Sequence, residues 1–275
     1  WMDATDKSAP SNATALGDHR FDAELDDVSE TGRAVRAQIV KETTAALAAI
    51  ERAKLSRENQ VDAAMLDEAL DAETFSLDQI QDWSWDPLLY SRAGSGALYT
   101  LMAREFAPIE ERLISAAARM EKLPVFLEQV RQALIVERVP EVHADVYSGQ
   151  NGGATSIIDE LILPAADKLG PADRKRLKAA ADLAKNAVAS HQTWIKKTLV
   201  PGAKGDFRLG PQNYDVKLRL SISETTPRAE LHEQAEGNAQ AIHDEMFDIA
   251  KAVLATQKGK SVPSAPDAKQ KQAAI

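Results

Sequence analysis

The sequence holds 275 residues, 44% hydrophobic and 27% charged, with a formal net charge of −9 and a pI near 5.2. That acidic balance argues against a duplex nucleic-acid binder, which needs a basic surplus to displace counterions. The chain has no cysteine, which excludes disulfides, iron–sulfur clusters, thiolate zinc sites and a cysteine nucleophile. No run approaches the roughly 18 apolar residues of a membrane span.

Alanine is abundant and aromatics are scarce, which favours helices over sheets. The first residue is Trp1, with no basic n-region or apolar h-region after it. That is expected of a fragment, or of a chain that has lost a targeting segment. Residues 1–27 read as irregular, with Pro10, Gly17 and an acidic cluster of Asp22, Glu24, Asp26 and Asp27. The cluster lacks the turn glycine and distal glutamate of a calcium loop and reads as a solvated acidic loop. Ser29 is placed to cap a helix carrying Val35, Ile39, Leu47 and Ile50. Ser56 is placed to cap a second with Val61, Met65, Leu66 and Leu70, giving a helical hairpin. Trp83-Ser84-Trp85-Asp86-Pro87 then makes a turn whose two indoles read as core plugs.

From Gly96 the helices are expected to shorten, with Pro108 and Pro124 at helix starts, where a missing N–H is tolerated. Pro140 ends that run. Gly149-Gln150-Asn151-Gly152-Gly153 reads as an interhelical turn, matching neither the P-loop nor the dinucleotide pattern. It leads into a helix over 157–169 kinked by Pro164. Gly170-Pro171 opens a long helix through 199, with Leu177, Ala181, Ala184, Val188, His191 and Ile195 on its apolar face. His191 therefore reads as a hydrogen-bonded core residue. The stretch 194–220, with two prolines and three glycines, is where one helical pattern ends and another begins. Thr226-Pro227 then starts a helix with Leu231, Ala235, Asn238, Ile242, Met246, Ile249 and Val253 in a heptad-like seam suited to a partner helix. The composition predicts one helical domain over 1–257 and a linker or disordered tail over 258–275.

The residues show no catalytic constellation by themselves. HExxH, which presents two histidines one turn apart to zinc, is absent. His232 and Glu236 share a helix face, but His243 lies about 16 Å further along the axis at 1.5 Å per residue. The G-x-S-x-G nucleophile elbow is absent too.

Three signatures recur in order. The first is Pro10 with the run Ala13 to Asp22, then Leu25 and Asp27-Val28-Ser29. The second is Gly149-Gln150 with Leu161 and Pro164. The third is Trp194, Leu199-Val200-Pro201, Gly205-Asp206-Phe207-Arg208-Leu209-Gly210 and Tyr214, continued by Thr226-Pro227 and Leu231. Together they resemble the bacterial domain of unknown function 885, a family similar to gluzincin-type zinc peptidases.

The resemblance implies an all-α fold, an array of long antiparallel helices with short proline-started ones, forming the N-terminal half of a gluzincin-like peptidase. It implies export, often as a lipoprotein, and hence a periplasmic or cell-envelope location. It also implies a zinc motif similar to His-Glu-Gly-x-Pro-Gly-His in a C-terminal half beyond residue 275. No metal ligand carries over onto this chain, so no cofactor is expected in it. What the family implies here is one wall of a peptide-substrate cleft, with the missing C-terminal half as partner. Gly210, Asn213 and Tyr214 are the candidates for facing that cleft, since a glycine-flanked loop tyrosine can reach a peptide backbone. Tyr214 as a plug of the helix junction is the structural alternative. A self-sufficient, non-catalytic helical binding or scaffold protein also remains open.

Overall fold

The structure, a computed structural model, describes residues 1–222, 226–256 and 267–275. The described residues are overwhelmingly helical and contain no strand; one isolated parallel bridge joins Pro140 and Gly205. The chain divides into two compact units, Trp1–Ser221 and Ile222–Ile275.

In the first unit, α1 (Met2–Ser8) and α2 (Pro10–Leu16) occupy the stretch expected to be irregular. Pro10 starts α2 at its first position and Gly17 ends it in the left-handed region at φ 98. Of the acidic residues that follow, Glu24 and Asp27 are exposed as a solvated loop would have them, but Asp22 and Asp26 are tied into the fold. Asp22 is buried and accepts from the Thr14 hydroxyl at 2.7 Å, and Asp26 accepts from both the amide and the hydroxyl of Ser11. These partners lie on α2, eight and fifteen residues away, so helical periodicity could not reveal them.

Next come α3 (Glu30–Ala48) and α4 (Arg57–Phe75), capped as expected. The Ser29 hydroxyl accepts from the Gly32 amide and the Ser56 hydroxyl from the Asn59 amide, each cap being worth about 1 kcal/mol. The hairpin has a small core of its own, made by Val40, Leu47, Ala63 and Leu70 and separate from the main core. Val35, Ile50, Val61 and Met65, expected on the buried stripe, are exposed.

The main core is built around α7 (Ile109–Ala133) and α10 (Pro171–Trp194). Before them come the short α5 (Leu88–Ser91) and α6 (Ala97–Ala103). Between them lie α8 (Glu141–Gln150) and α9 (Gly153–Ile157). Ala116, Ala117, Ala180, Ala181 and Ala184 are all buried, and such small side chains let helix axes approach closely. Pro124 does not start a helix; it lies inside α7. An interior proline costs about 3 kcal/mol. Met120, Leu123, Phe126, Leu127 and Val130 are buried around it, at roughly 1.5–3 kcal/mol each. Packing wins over propensity.

Pro164 does break its helix: a π-helical turn, Ile158–Ile162, gives way to a 3₁₀ segment, Leu163–Lys168. Beyond α10 a π-helical turn, Ile195–Leu199, leads into α11 (Val200–Gly202), and then α12 (Gly210–Ile222) closes the unit.

The second unit contains α13 (Arg228–Ala255) and α14 (Ala268–Ala274). Residues 268–274 are thus helical where the composition suggested a linker or tail, because Asp267 forms a reciprocal capping box with Gln270. Residues 258–266 lie outside the described ones. Phe247 is buried on α13, with the ammonium groups of Lys251 and Lys271 each 5.7 Å from its ring centroid. Lys271 also pairs with Asp244 at 2.7 Å. Ile242, Met246, Ile249 and Val253 of the expected seam are exposed.

Candidate functional site

The segment between α11 and α12 carries the third signature, and it borders a polar cleft of about 340 Å³ within the first unit. Gly205, Asp206, Arg208, Leu209 and Asn213 line one side. Gln79, Ile80, Trp85, Glu137 and Arg138 line the other. The two sides are joined through backbone. The Gly205 amide donates to the Val139 carbonyl at 2.9 Å, forming the bridge with Pro140. A Cβ on Gly205 would overlap the carbonyl group of Arg138, so only glycine allows this approach.

The opposite wall is set by Gln81, a non-glycine residue with positive φ (52°). It closes the π-helical turn Ser76–Ile80, its amide donating to the Ser76 carbonyl at 2.7 Å. Such a conformation costs about 1 kcal/mol or more and persists where surrounding contacts hold it. Here the Gln81 side chain accepts from Arg138 at 3.0 Å, and the next turn places the Trp85 indole N–H 3.0 Å from the Ile80 carbonyl. Trp83 likewise bonds to the Leu77 carbonyl, and both indoles are half-buried. Asp86, next to Trp85, pairs with His143 at 3.0 Å.

Charge in the cleft is mixed. The backbone amide of Arg208, and then its guanidinium, hold the Asp206 carboxyl below the usual carboxylate range. The Arg208 guanidinium also lies 4.4 Å from the centroid of Phe207, which is exposed. An open cleft with two arginines, two carboxylates, two amides and an indole can hydrogen-bond a peptide-like chain at several points.

Of the three residues expected at a cleft, this one takes Asn213. The expected loop is a helix: Gly210, Asn213 and Tyr214 all lie in the first turns of α12. Gly210, at φ 75, makes the left-handed entry. Tyr214 is 46% exposed. Gln81 and Arg138 were missed because nothing local marks them. A π-helical turn and a chain reversal 57 residues apart bring them together.

The histidines are placed differently from one another. His191 is completely buried; its Nδ1 accepts from the Arg131 Nε–H at 3.1 Å, and its Nε2 lies 2.9 Å from the Tyr147 hydroxyl. Burial, and then the Arg131 charge, push its pKa down to about 3, so it is a neutral core residue. His19 pairs with Asp22 and stacks on Phe106 at 3.6 Å. His232 and Glu236 form a pair at 3.6 Å, both well exposed. Among the described residues no group of three or more histidine, aspartate or glutamate side chains is arranged to hold a metal ion.

The comparisons with known proteins bear on the whole chain. A family model described as "Bacterial protein of unknown function (DUF885)" matches residues 10–274. The chain belongs to this family. A solved structure described as that of "a putative lipoprotein of unknown function" from Shewanella oneidensis superposes with a TM-score of 0.82 at 24% identity. The match covers 99% of this chain and 49% of that one. The DUF885 chain therefore spans about half the length of the structure it matches, and at that identity the likeness establishes the fold. No curated protein matches the chain.

Proposed function

We propose that this DUF885 chain is the N-terminal scaffold and substrate-cleft half of a zinc-dependent peptidase of the cell envelope. The observation that carries the reading is the placement of the third family signature. Gly205, Asp206, Arg208 and Leu209 line an open polar cleft instead of filling the core. The solved relative's length leaves room for a second half, and its description as a lipoprotein supports an envelope location.

Among the described residues the side chains do not fit a zinc site, since the nearest helical pair, His232 and Glu236, brings no third ligand with it. In this reading zinc, and the carboxylate that activates water, come from the partner half. The role left to this chain is to hold the peptide. Arg138 and Arg208 offer planar donors to carbonyl or carboxylate groups, and Asn213 offers an amide that both donates and accepts.

The test is peptide hydrolysis by the longer protein with zinc supplied. Asn213→Ala and Arg208→Ala are expected to raise KM several-fold while kcat holds, the pattern of lost ground-state binding. Absence of zinc-dependent hydrolysis in the longer protein would favour a non-catalytic helical scaffold.

A further inference from the structure

We propose that a small pocket between α5, α8, α9 and α10 is an internal water site, holding one ordered water bonded to the hydroxyls of Tyr147 and Ser91. The argument begins with the His191 tautomer. An arginine Nε–H can only donate, and it donates to His191 Nδ1 at 3.1 Å. A neutral imidazole that accepts at Nδ1 carries its proton on Nε2. The 2.9 Å contact between Nε2 and the Tyr147 hydroxyl is therefore a bond in which the histidine donates and the tyrosine oxygen accepts. The phenolic hydrogen of Tyr147, a buried residue, then needs an acceptor elsewhere.

Tyr147 lines a pocket of about 20 Å³ together with Ser91, Gln150, Asn151 and Val188. That volume accommodates a single water, which needs about 10–15 Å³ and two to four polar partners. Ser91 Oγ is buried and makes no hydrogen bond to protein. Asn151 uses its Nδ2 on the Val188 carbonyl and Gln192, leaving a carbonyl oxygen on the same side chain. A donor without an acceptor and a hydroxyl without a partner thus belong to two residues that line one water-sized pocket. The water extends one directed chain: Arg131 to His191, His191 to Tyr147, Tyr147 to water, water to Ser91. That chain ties α7, α10, α8 and α5 at one buried point.

The test combines NMR of the unaltered chain with a double-mutant cycle of Ser91→Ala and Tyr147→Phe. The expected result is a nitrogen spectrum of His191 with the proton on Nε2 and a long-lived water showing cross-relaxation to the Tyr147 ring. Each single variant is expected to lower the folding constant about five- to tenfold. The double variant should lose little more than either, because both changes remove the same bridge. A proton on Nδ1, no long-lived water at Tyr147, or fully additive losses would each overturn the proposal.

Discussion

The Nη2 of Arg119 lies 2.6 Å from the Thr14 hydroxyl, across 105 residues of sequence. Thr14 in turn donates to Asp22, so a buried guanidinium, a hydroxyl and a carboxylate form one polarised chain. Arg119 is wholly buried and also donates to the carbonyls of Glu24, Ala97 and Pro10. This single side chain ties the N-terminal helices to the main core. Arg119→Met is expected to destabilise the first unit by about 3–5 kcal/mol, because it leaves the Thr14 hydroxyl and three carbonyls without their donor and removes the buried charge that faces Asp22. Denaturant unfolding measures the loss, and faster amide exchange over residues 10–26 would show where it falls.

His191 gives the stability a pH dependence of known sign. Above its ordinary pKa of 6.5, the imidazole is neutral in both the folded and unfolded chain. Between there and about 3, only the unfolded chain takes up the proton. Stability therefore falls as pH drops through that window and levels off below it, by an amount on the order of a few kcal/mol. His191→Gln should flatten this part of the curve in unfolding measured from pH 7 to 3.

Gly205→Ala tests the backbone approach that joins the two sides of the cleft. The added Cβ meets the carbonyl group of Arg138, which is not the end of a flexible side chain. The expected loss is about 2–4 kcal/mol, in the range of overpacked buried sites and broken backbone bonds. Gly210→Ala, strained by its positive φ but free of any clash, should cost only about 1 kcal/mol. Comparing the two melting curves checks the order.

The seam on α13 leaves Ile242, Met246, Ile249 and Val253 at 56%, 42%, 59% and 52% exposure. Covering such side chains is worth roughly 1.5–3 kcal/mol each. The chain is expected to self-associate or bind a hydrophobic dye, and Ile242→Ser with Ile249→Ser should reduce both. Sedimentation and dye fluorescence give the readout; a monomer that binds no dye would count against a seam built for a partner.

The chain alone is expected to take up no stoichiometric zinc and to hydrolyse no peptide, and His232→Ala should change neither outcome. One zinc per chain in a metal-content assay, lost in that variant, would place the chemistry on α13 and overturn the scaffold reading.

What was legible in the sequence was whatever is decided locally. Ser29 and Ser56 read as caps because the bond they make spans three residues. The α10 stripe, His191 included, read as buried because its period is that of a helix. Pro124 misled because its cost is local while the packing that offsets it comes from another helix. Arg119 gave no signal at all, since a charged residue reads as surface until its acceptors, drawn from three distant segments, are assembled. The candidate cleft was half legible: the 205–210 signature marked one side, and nothing marked Gln81 and Arg138 on the other.

The separate small core of the α3–α4 hairpin has a consequence for how the molecule opens. Val40, Leu47, Ala63 and Leu70 support one another and not the main core. Such a segment forms its own cooperative opening unit, of lower free energy than the global transition. Limited proteolysis should therefore nick the 49–56 connection well before any site in α7 or α10.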